Sequence, residues 1–189
     1  MKIYVIRHGE SETNLRNCWC GWTDVSLTDK GRKDAENAGE FLKDITFDKV
    51  YSSDLKRAME TARIALHDFP TIETSPLIRE FNVGNLAGQP ISILTDEQRL
   101  DTAVNGYAAF GGESQAEFTE RITTFMRLLE SLDCDTVAVF SHAGVLRGML
   151  DTILQFYVPR RNVLCRNCAI AVFEYTNETW SLHSWINLN

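Results

Sequence analysis

Two histidines occupy matching places in this chain, each just after a short apolar run. Ile3-Tyr4-Val5-Ile6 delivers Arg7-His8-Gly9-Glu10, and Val137-Ala138-Val139-Phe140 delivers Ser141-His142-Ala143-Gly144. A buried strand that ends in a cation, an imidazole and a glycine can aim the imidazole at an anion. Complementary groups lie elsewhere: Asn14, then Arg57 within Ser52-Ser53-Asp54-Leu55-Lys56-Arg57-Ala58, then Glu80. Together they suit phosphoryl transfer, which needs a nucleophile in line with the leaving oxygen, donors around the equatorial oxygens and an acid for the departing alkoxide.

Neutral imidazole is a competent nucleophile near pH 7 when its other nitrogen donates a hydrogen bond that sets the tautomer. His8 is assigned that role, with the carbonyl of the following glycine turn as the acceptor. Arg7 and Arg57 can each fork two N–H groups onto phosphoryl oxygens, which a lysine does with less directional control. His142 precedes a helix start, where N–H groups and the positive dipole end favour anions. Asn14 adds a neutral donor. Singly, each residue has an ordinary reading: a histidine bonded at a strand end, a solvated Arg57, a surface Glu80. Their joint occurrence in these local contexts carries the assignment.

The elements that must position these groups are legible. Residues 17–26 read as a loop. Thr28 is the expected cap of a helix whose apolar positions, Ala35, Ala38, Leu42 and Ile45, follow a 3.6-residue period. A short strand at 48–52 leads to a second helix with Leu55, Ala58, Met59, Ala62, Ala65 and Leu66 on one face and Ser53 as its cap. Between 69 and 112 the periodicity weakens, and Pro70, Pro76 and Pro90 punctuate what reads as loops and short helices lying over the site. Ser114-x-x-Glu117 is a capping box before the stripe Phe118, Ile122, Phe125, Met126 and Leu129. A strand follows at 136–140, then a helix carrying Leu146, Met149, Leu150, Ile153 and Leu154. Runs at 169–175 and 179–185 flank Asn177-Glu178 and predict an edge hairpin. Alternating strands and helices predict a mostly parallel sheet with helices on both faces and ligands beyond the carboxyl ends of the strands.

The chain has 189 residues, 44% apolar and 24% charged, the balance of one globular domain. Net charge is −7 and the pI about 5.1, with no run of lysine and arginine, so neither nucleic acid nor an anionic membrane is an expected partner. No apolar run approaches the roughly 20 residues of a spanning helix, and Arg7 and His8 interrupt the first apolar run where a leader would need one; the expected location is cytoplasmic. Five cysteines without an export signal read as reduced thiols. Cys18-x-Cys20 with Cys165-x-x-Cys168 could in principle supply a four-thiolate zinc site, although Cys165 and Cys168 also suit core packing beside 169–173. Trp180, Leu182 and Trp185 could give an apolar edge for pairing, so a monomer or a homodimer is expected.

The motifs Arg7-His8-Gly9-Glu10, Asn14, Gly21-Trp22-x-Asp24, Leu27-Thr28-x-x-Gly31, Ser52-Ser53-x-Leu55-x-Arg57-Ala58-x-x-Thr61, Glu80, Gly112-Glu113-Ser114 and Ser141-His142-Ala143-Gly144 resemble the histidine phosphatase superfamily, also called phosphoglycerate mutase-like. The resemblance runs from Met1 to about Leu150. It implies an α/β fold, a three-layer α/β/α sandwich whose mostly parallel sheet has an antiparallel edge, in a single domain over 1–189 with a short cap-like insertion around 81–112. It implies a phosphohistidine on His8 and a catalytic set of His8, Glu80, His142, Arg7 and Arg57, with Glu80 first as proton donor and later as base for water. Asn14, Gly21, Trp22, Thr23 and Ala143 are the implied substrate-binding residues; no cofactor and no metal are implied.

Within such a family the fork is phosphatase against cofactor-dependent phosphoglycerate mutase. Mutases carry a longer, more basic insertion between the acidic residue and Gly-Glu-Ser; here 81–112 holds Arg99 as its one basic residue, and the run from Arg79 to Gly88 is similar to the phosphatase version. The reading is a phosphatase of a small phosphate monoester, either of the α-ribazole phosphatase type or of broad specificity. Asn85-Leu86-Ala87-Gly88 departs from the pattern by lacking the tryptophan and acid common before that glycine. A non-catalytic phosphate-binding module is the alternative from another class; it could dispense with His8 or Glu80, and this chain has both.

Overall fold

The computed structural model describes residues 1–155 and 163–188. Its centre is a six-stranded sheet built from β1 (Lys2–Arg7), β2 (Lys49–Ser52), β3 (Ile72–Thr74), β4 (Thr136–Ser141), β5 (Ile170–Thr176) and β6 (Thr179–Ile186), in the order β3-β2-β4-β1-β5-β6. β3, β2, β4 and β1 run parallel, while β5 and β6 are antiparallel. Asn177 and Glu178 both take positive φ, +51° and +59°, as a two-residue hairpin turn matched to strand twist requires.

Side chains alternate across the sheet and so divide the core in two. Ile3 and Val5 of β1, Val137 and Val139 of β4, and Ala171 and Phe173 of β5 face one cluster. Ile6, Ala138, Phe140, Ile170 and Val172 face the other. The second face is covered by α2 (Asp29–Leu42) and α3 (Lys56–Ala65), and the first by α5 (Gln115–Glu130) and α6 (Ala143–Leu154); α1 (Glu12–Leu15) is a single turn after β1. This is the expected three-layer arrangement. The five apolar residues expected along α5 are its buried set, and Ser114 with Glu117 closes the capping box.

Three local expectations are corrected. Ser53 does not cap α3. The helix begins two residues later, the N-cap position is Leu55, and the first amide, that of Lys56, donates to Asp24 Oδ1 at 2.7 Å from a distant loop. Residues 69–112 hold more regular structure than their weak periodicity suggests. They include β3 and α4 (Asp96–Asn105), the latter capped by Thr95 with Gln98, and its Leu100 and Val104 face outward. Finally, Trp180 and Trp185 are partly buried against the core, their indole N–H groups donating to Glu130 Oε1 and the Leu164 carbonyl, which leaves Leu182 as the exposed apolar residue of that trio on β6. Among the described residues no helix is long and apolar enough to cross a membrane.

Candidate active site

The pairing of β1 with β4 brings the two histidines together. Arg7 lies opposite Ser141 in the parallel register, so His8 and His142 are each the next residue beyond the carboxyl end of adjacent strands. Both are buried, their ring centroids 5.2 Å apart with planes at 61°. Both histidines thus lie beyond the carboxyl ends of neighbouring parallel strands, where open α/β sheets bind ligands.

His8 Nδ1 lies 2.7 Å from the Gly9 carbonyl oxygen. A carbonyl only accepts, so Nδ1 carries the proton and Nε2 carries the lone pair. Nε2 in turn accepts a 3.3 Å hydrogen bond from Arg57 Nε. Burial, followed by the nearby charges of Arg57 and Arg7, holds the His8 pKa well below the ordinary imidazole value. The ring is therefore neutral near pH 7 and its lone-pair nitrogen faces a guanidinium. The loop behind it is held by Gly9 N–H on Thr61 Oγ1 at 3.0 Å, and by a backbone approach so close that a Cβ on Gly9 would stand 2.2 Å from the Gly31 carbonyl oxygen.

Arg57 enters from α3 fully buried. Its Nη1 and Nη2 donate to the carbonyls of Thr23 and Gly21 at 3.0 and 2.9 Å, which fixes the plane of the fork against His8. Arg7 donates through Nη1 to the Cys165 carbonyl at 2.6 Å, while its buried Nε has no partner among the described residues. An unpaired buried guanidinium N–H is costly, and an anion oxygen would satisfy it. His142 contributes similarly. Its Nε2 lies 2.9 Å from Ser53 Oγ, which itself accepts the Leu55 amide N–H. With the hydroxyl proton turned to Nε2, Nδ1 is left as the donor, buried and without a partner among the described residues. Burial first, then Arg57 and His8, holds the His142 pKa well below the usual value, so this ring too is neutral.

Asn14 completes α1's capping box: its Oδ1 accepts from Ser11 N, Ser11 Oγ and Asn167 Nδ2 at 3.0–3.2 Å. Its amide NH₂ is the side-chain donor left over. Glu80 comes from the segment after β3. Its carboxylate accepts the Phe81 amide at 2.9 Å and the Gly144 amide at 3.1 Å, so one N–H at the start of α6 is given to Glu80. A Cβ on Gly144 would fall 2.1 Å from Glu80 Oε1; only glycine admits this contact. The Glu80 carbonyl is clamped by Trp22 Nε1 at 2.7 Å and Arg121 Nη2 at 2.9 Å.

These groups meet at a cleft of about 220 Å³ whose lining includes Arg7, His8, Asn14, Gly21, Arg57, Glu80 and Ala143. Trp22 and Thr23 do not line it. They lie behind it, holding the Glu80 and Arg57 main-chain and guanidinium positions, and Arg79 stacks over the Trp22 ring at 5.0 Å. Several further residues, without a motif to mark them, support the site. Arg147, one turn after Ala143 on the same face of α6, lines the cleft with Nε and Nη2 directed at the Val163 carbonyl. Arg121 forms an ion pair with Glu113 at 2.7 Å and ties Leu77, Arg79 and Glu80 together. Asn167 Nδ2 donates to the His8 carbonyl at 3.1 Å. The i, i+4 spacing from Ala143 could have flagged Arg147; Asn167 carries no local signal.

Among the described residues no three His, Cys, Asp or Glu side chains converge as a metal centre would require. The four-thiolate arrangement of Cys18, Cys20, Cys165 and Cys168 is thus not assembled. Cys165 and Cys168 are core residues, and burial pushes the Cys168 thiol up to about 12.

Two buried neutral imidazoles, two guanidiniums and a carboxylate at the carboxyl ends of a mostly parallel sheet define an α/β protein built to handle an anion. The chain belongs to the histidine phosphatase superfamily, branch 1, whose family model matches residues 3–188. It is 30% identical over 195 residues to the probable phosphoglycerate mutase GpmB of Enterobacter sp. (strain 638), covering 98% of this chain and 90% of that protein. Among solved structures it resembles TTHB049 from Thermus thermophilus, with 27% identity, 99% of each chain covered and a TM-score of 0.79. It also shares the fold of the α-ribazole phosphatase from Shigella flexneri, at 24% identity, 100% and 97% coverage and a TM-score of 0.86.

Proposed function

We propose that this protein hydrolyses a small-molecule phosphate monoester through a phosphohistidine on His8. The observation that carries the reading is the state of His8: its Nδ1 proton is committed to the Gly9 carbonyl and its Nε2 lone pair faces the Arg57 guanidinium in the cleft that Glu80 also lines. In the first step Nε2 attacks phosphorus and the P–O bond to the alcohol breaks. Glu80, entering protonated, passes its proton to the departing oxygen. In the second step water attacks phosphorus, the P–N bond breaks, and Glu80 takes a proton from the water, as reversal of the first step requires. Arg7, Arg57, His142 Nδ1 and Asn14 are the donors for the phosphoryl oxygens, their charge in place before reaction.

Mutase action is the second reading, favoured by the name carried by the GpmB relatives and by Arg147 at the cleft. Against it stands Arg99, the one basic residue of 81–112. It is spent on the Leu94 and Ile91 carbonyls at 3.2 and 2.6 Å and does not line the cleft. The test is a phosphatase screen over sugar phosphates, phosphoglycerates, nucleotides and α-ribazole phosphate, with 2- and 3-phosphoglycerate interconversion assayed in parallel. Release of orthophosphate faster than interconversion is expected; the reverse would assign the protein to the mutases.

A further inference from the structure

Beyond the phosphoryl pocket the cleft has a wall that the hydrolytic chemistry does not use, formed by Trp19, Phe81, Val83, Ile91 and Tyr107. None of the five carries a charge. We propose that Trp19 determines specificity for the leaving group: its indole N–H donates to one uncharged acceptor on an alcohol whose remaining surface, apolar or aromatic, packs on this wall. The inference rests on the phosphomonoesterase reading and names the class of ester that reading leaves open.

Trp19 Nε1 is buried and has no hydrogen-bond partner among the described residues. Indole nitrogen is a donor only, and buried tryptophan N–H groups normally find an acceptor. Leaving one unmet costs as much as losing a hydrogen bond, so an unpaired N–H on a residue lining a cleft points to a ligand acceptor.

The ring is also held in place, as a selective donor must be. The Trp19 backbone amide donates to the Gln89 carbonyl at 2.9 Å and the Trp19 carbonyl accepts from the Gly88 amide at 2.8 Å, while the Ile91 amide donates to the Asn17 carbonyl at 3.0 Å. The loop after α1 is therefore stitched to the segment that carries Ile91. On the other side a relay of aromatic contacts runs into the core. Trp19 meets Tyr107 edge-on at 5.6 Å, Tyr107 meets Phe81 edge-on at 5.0 Å, and Phe81 stacks on Phe118 at 3.9 Å. Phe81 is the residue after Glu80, so the wall and the proton donor share one segment. The cleft's volume of about 220 Å³ suits a small ester, since pockets for drug-sized ligands measure roughly 300–1,000 Å³.

The test compares esters of nearly equal size that differ by one uncharged acceptor: phenyl phosphate with 3- and 4-pyridyl phosphate, and butyl phosphate with 2-methoxyethyl phosphate. Wild-type protein is expected to favour the acceptor-bearing member of at least one pair by roughly three- to tenfold in kcat/KM, the usual scale for one buried hydrogen bond. Trp19→Phe, which keeps the ring and removes the N–H, should bring that ratio to about one. Inhibition by orthovanadate, which needs only the phosphoryl pocket, should not change. Equal ratios in wild type and variant overturn the proposal, as does weaker vanadate inhibition in Trp19→Phe, which would show Trp19 acting through the pocket's structure. A higher kcat/KM for 3-phosphoglycerate than for every ester of an uncharged alcohol also overturns it. Absence of turnover by wild type with every monoester would instead remove the phosphatase reading beneath it.

Discussion

At His8, burial beside two guanidiniums keeps the imidazole unprotonated, and a single carbonyl decides which nitrogen keeps its lone pair. His8→Ala is expected to lower turnover of an aryl phosphate by roughly 10⁴-fold or more, as loss of a nucleophile typically does, with an unchanged circular dichroism spectrum. Near-wild-type turnover would remove His8 from the nucleophile role. Glu80→Gln should slow alkyl phosphates more than aryl phosphates, within the roughly 10²–10⁴-fold that general acid catalysis contributes, because a phenolate leaves without much protonation. Parallel losses for both substrate types would show that Glu80 is not the acid. Arg57→Lys preserves charge but gives up the contacts to Gly21, Thr23 and His8. A loss of about tenfold in vanadate affinity is expected on the scale of a charged hydrogen bond, measured by inhibition; unchanged inhibition would place Arg57 outside the pocket.

At the scale of elements, the site depends on where α6 begins relative to the segment carrying Glu80. The Gly144 amide and the Glu80 carboxylate are in contact because no Cβ stands between them. Gly144→Ala is expected to push Glu80 from its position and reduce kcat by roughly tenfold or more, on the scale of displaced catalytic groups, while vanadate still binds. A variant with full kcat would show that Glu80 has room to reposition. Helices were read well where one face is buried: α5 matches residue for residue, and Thr28 caps α2 by accepting the Gly31 N–H at 3.0 Å. Ser53 does not cap α3 because its hydroxyl is drawn to His142, and Asp24, 32 residues before Lys56, accepts the helix's first amide. α4 was passed over because its Leu100 and Val104 face solvent and leave no stripe to detect.

At the scale of the whole molecule, two buried histidines couple stability to pH. Both pKa values are lowered in the folded state, by burial first. Below the unfolded value of about 6.5, the unfolded chain binds protons that the folded one refuses, so stability is fully present above that pH and falls as pH drops toward the folded values. The melting temperature is therefore expected to decline from pH 7 to 5, and less steeply in His8→Gln. An identical decline in that variant would assign the effect to other groups.

The residues alone determined which groups can do the chemistry and which elements carry them, because strand-end histidines, capping signals and apolar periods are local properties of the chain. Tertiary structure decided the rest. It set His8 beside His142 through the register of β1 on β4, turned Arg99 away from the cleft and Arg147 onto it, set the Trp22 indole on the Glu80 carbonyl, and left the Trp19 indole N–H unmatched among the described residues. Those outcomes follow from contacts between segments tens of residues apart, and side-chain direction across such gaps is fixed only when the sheet is paired and both of its faces are packed.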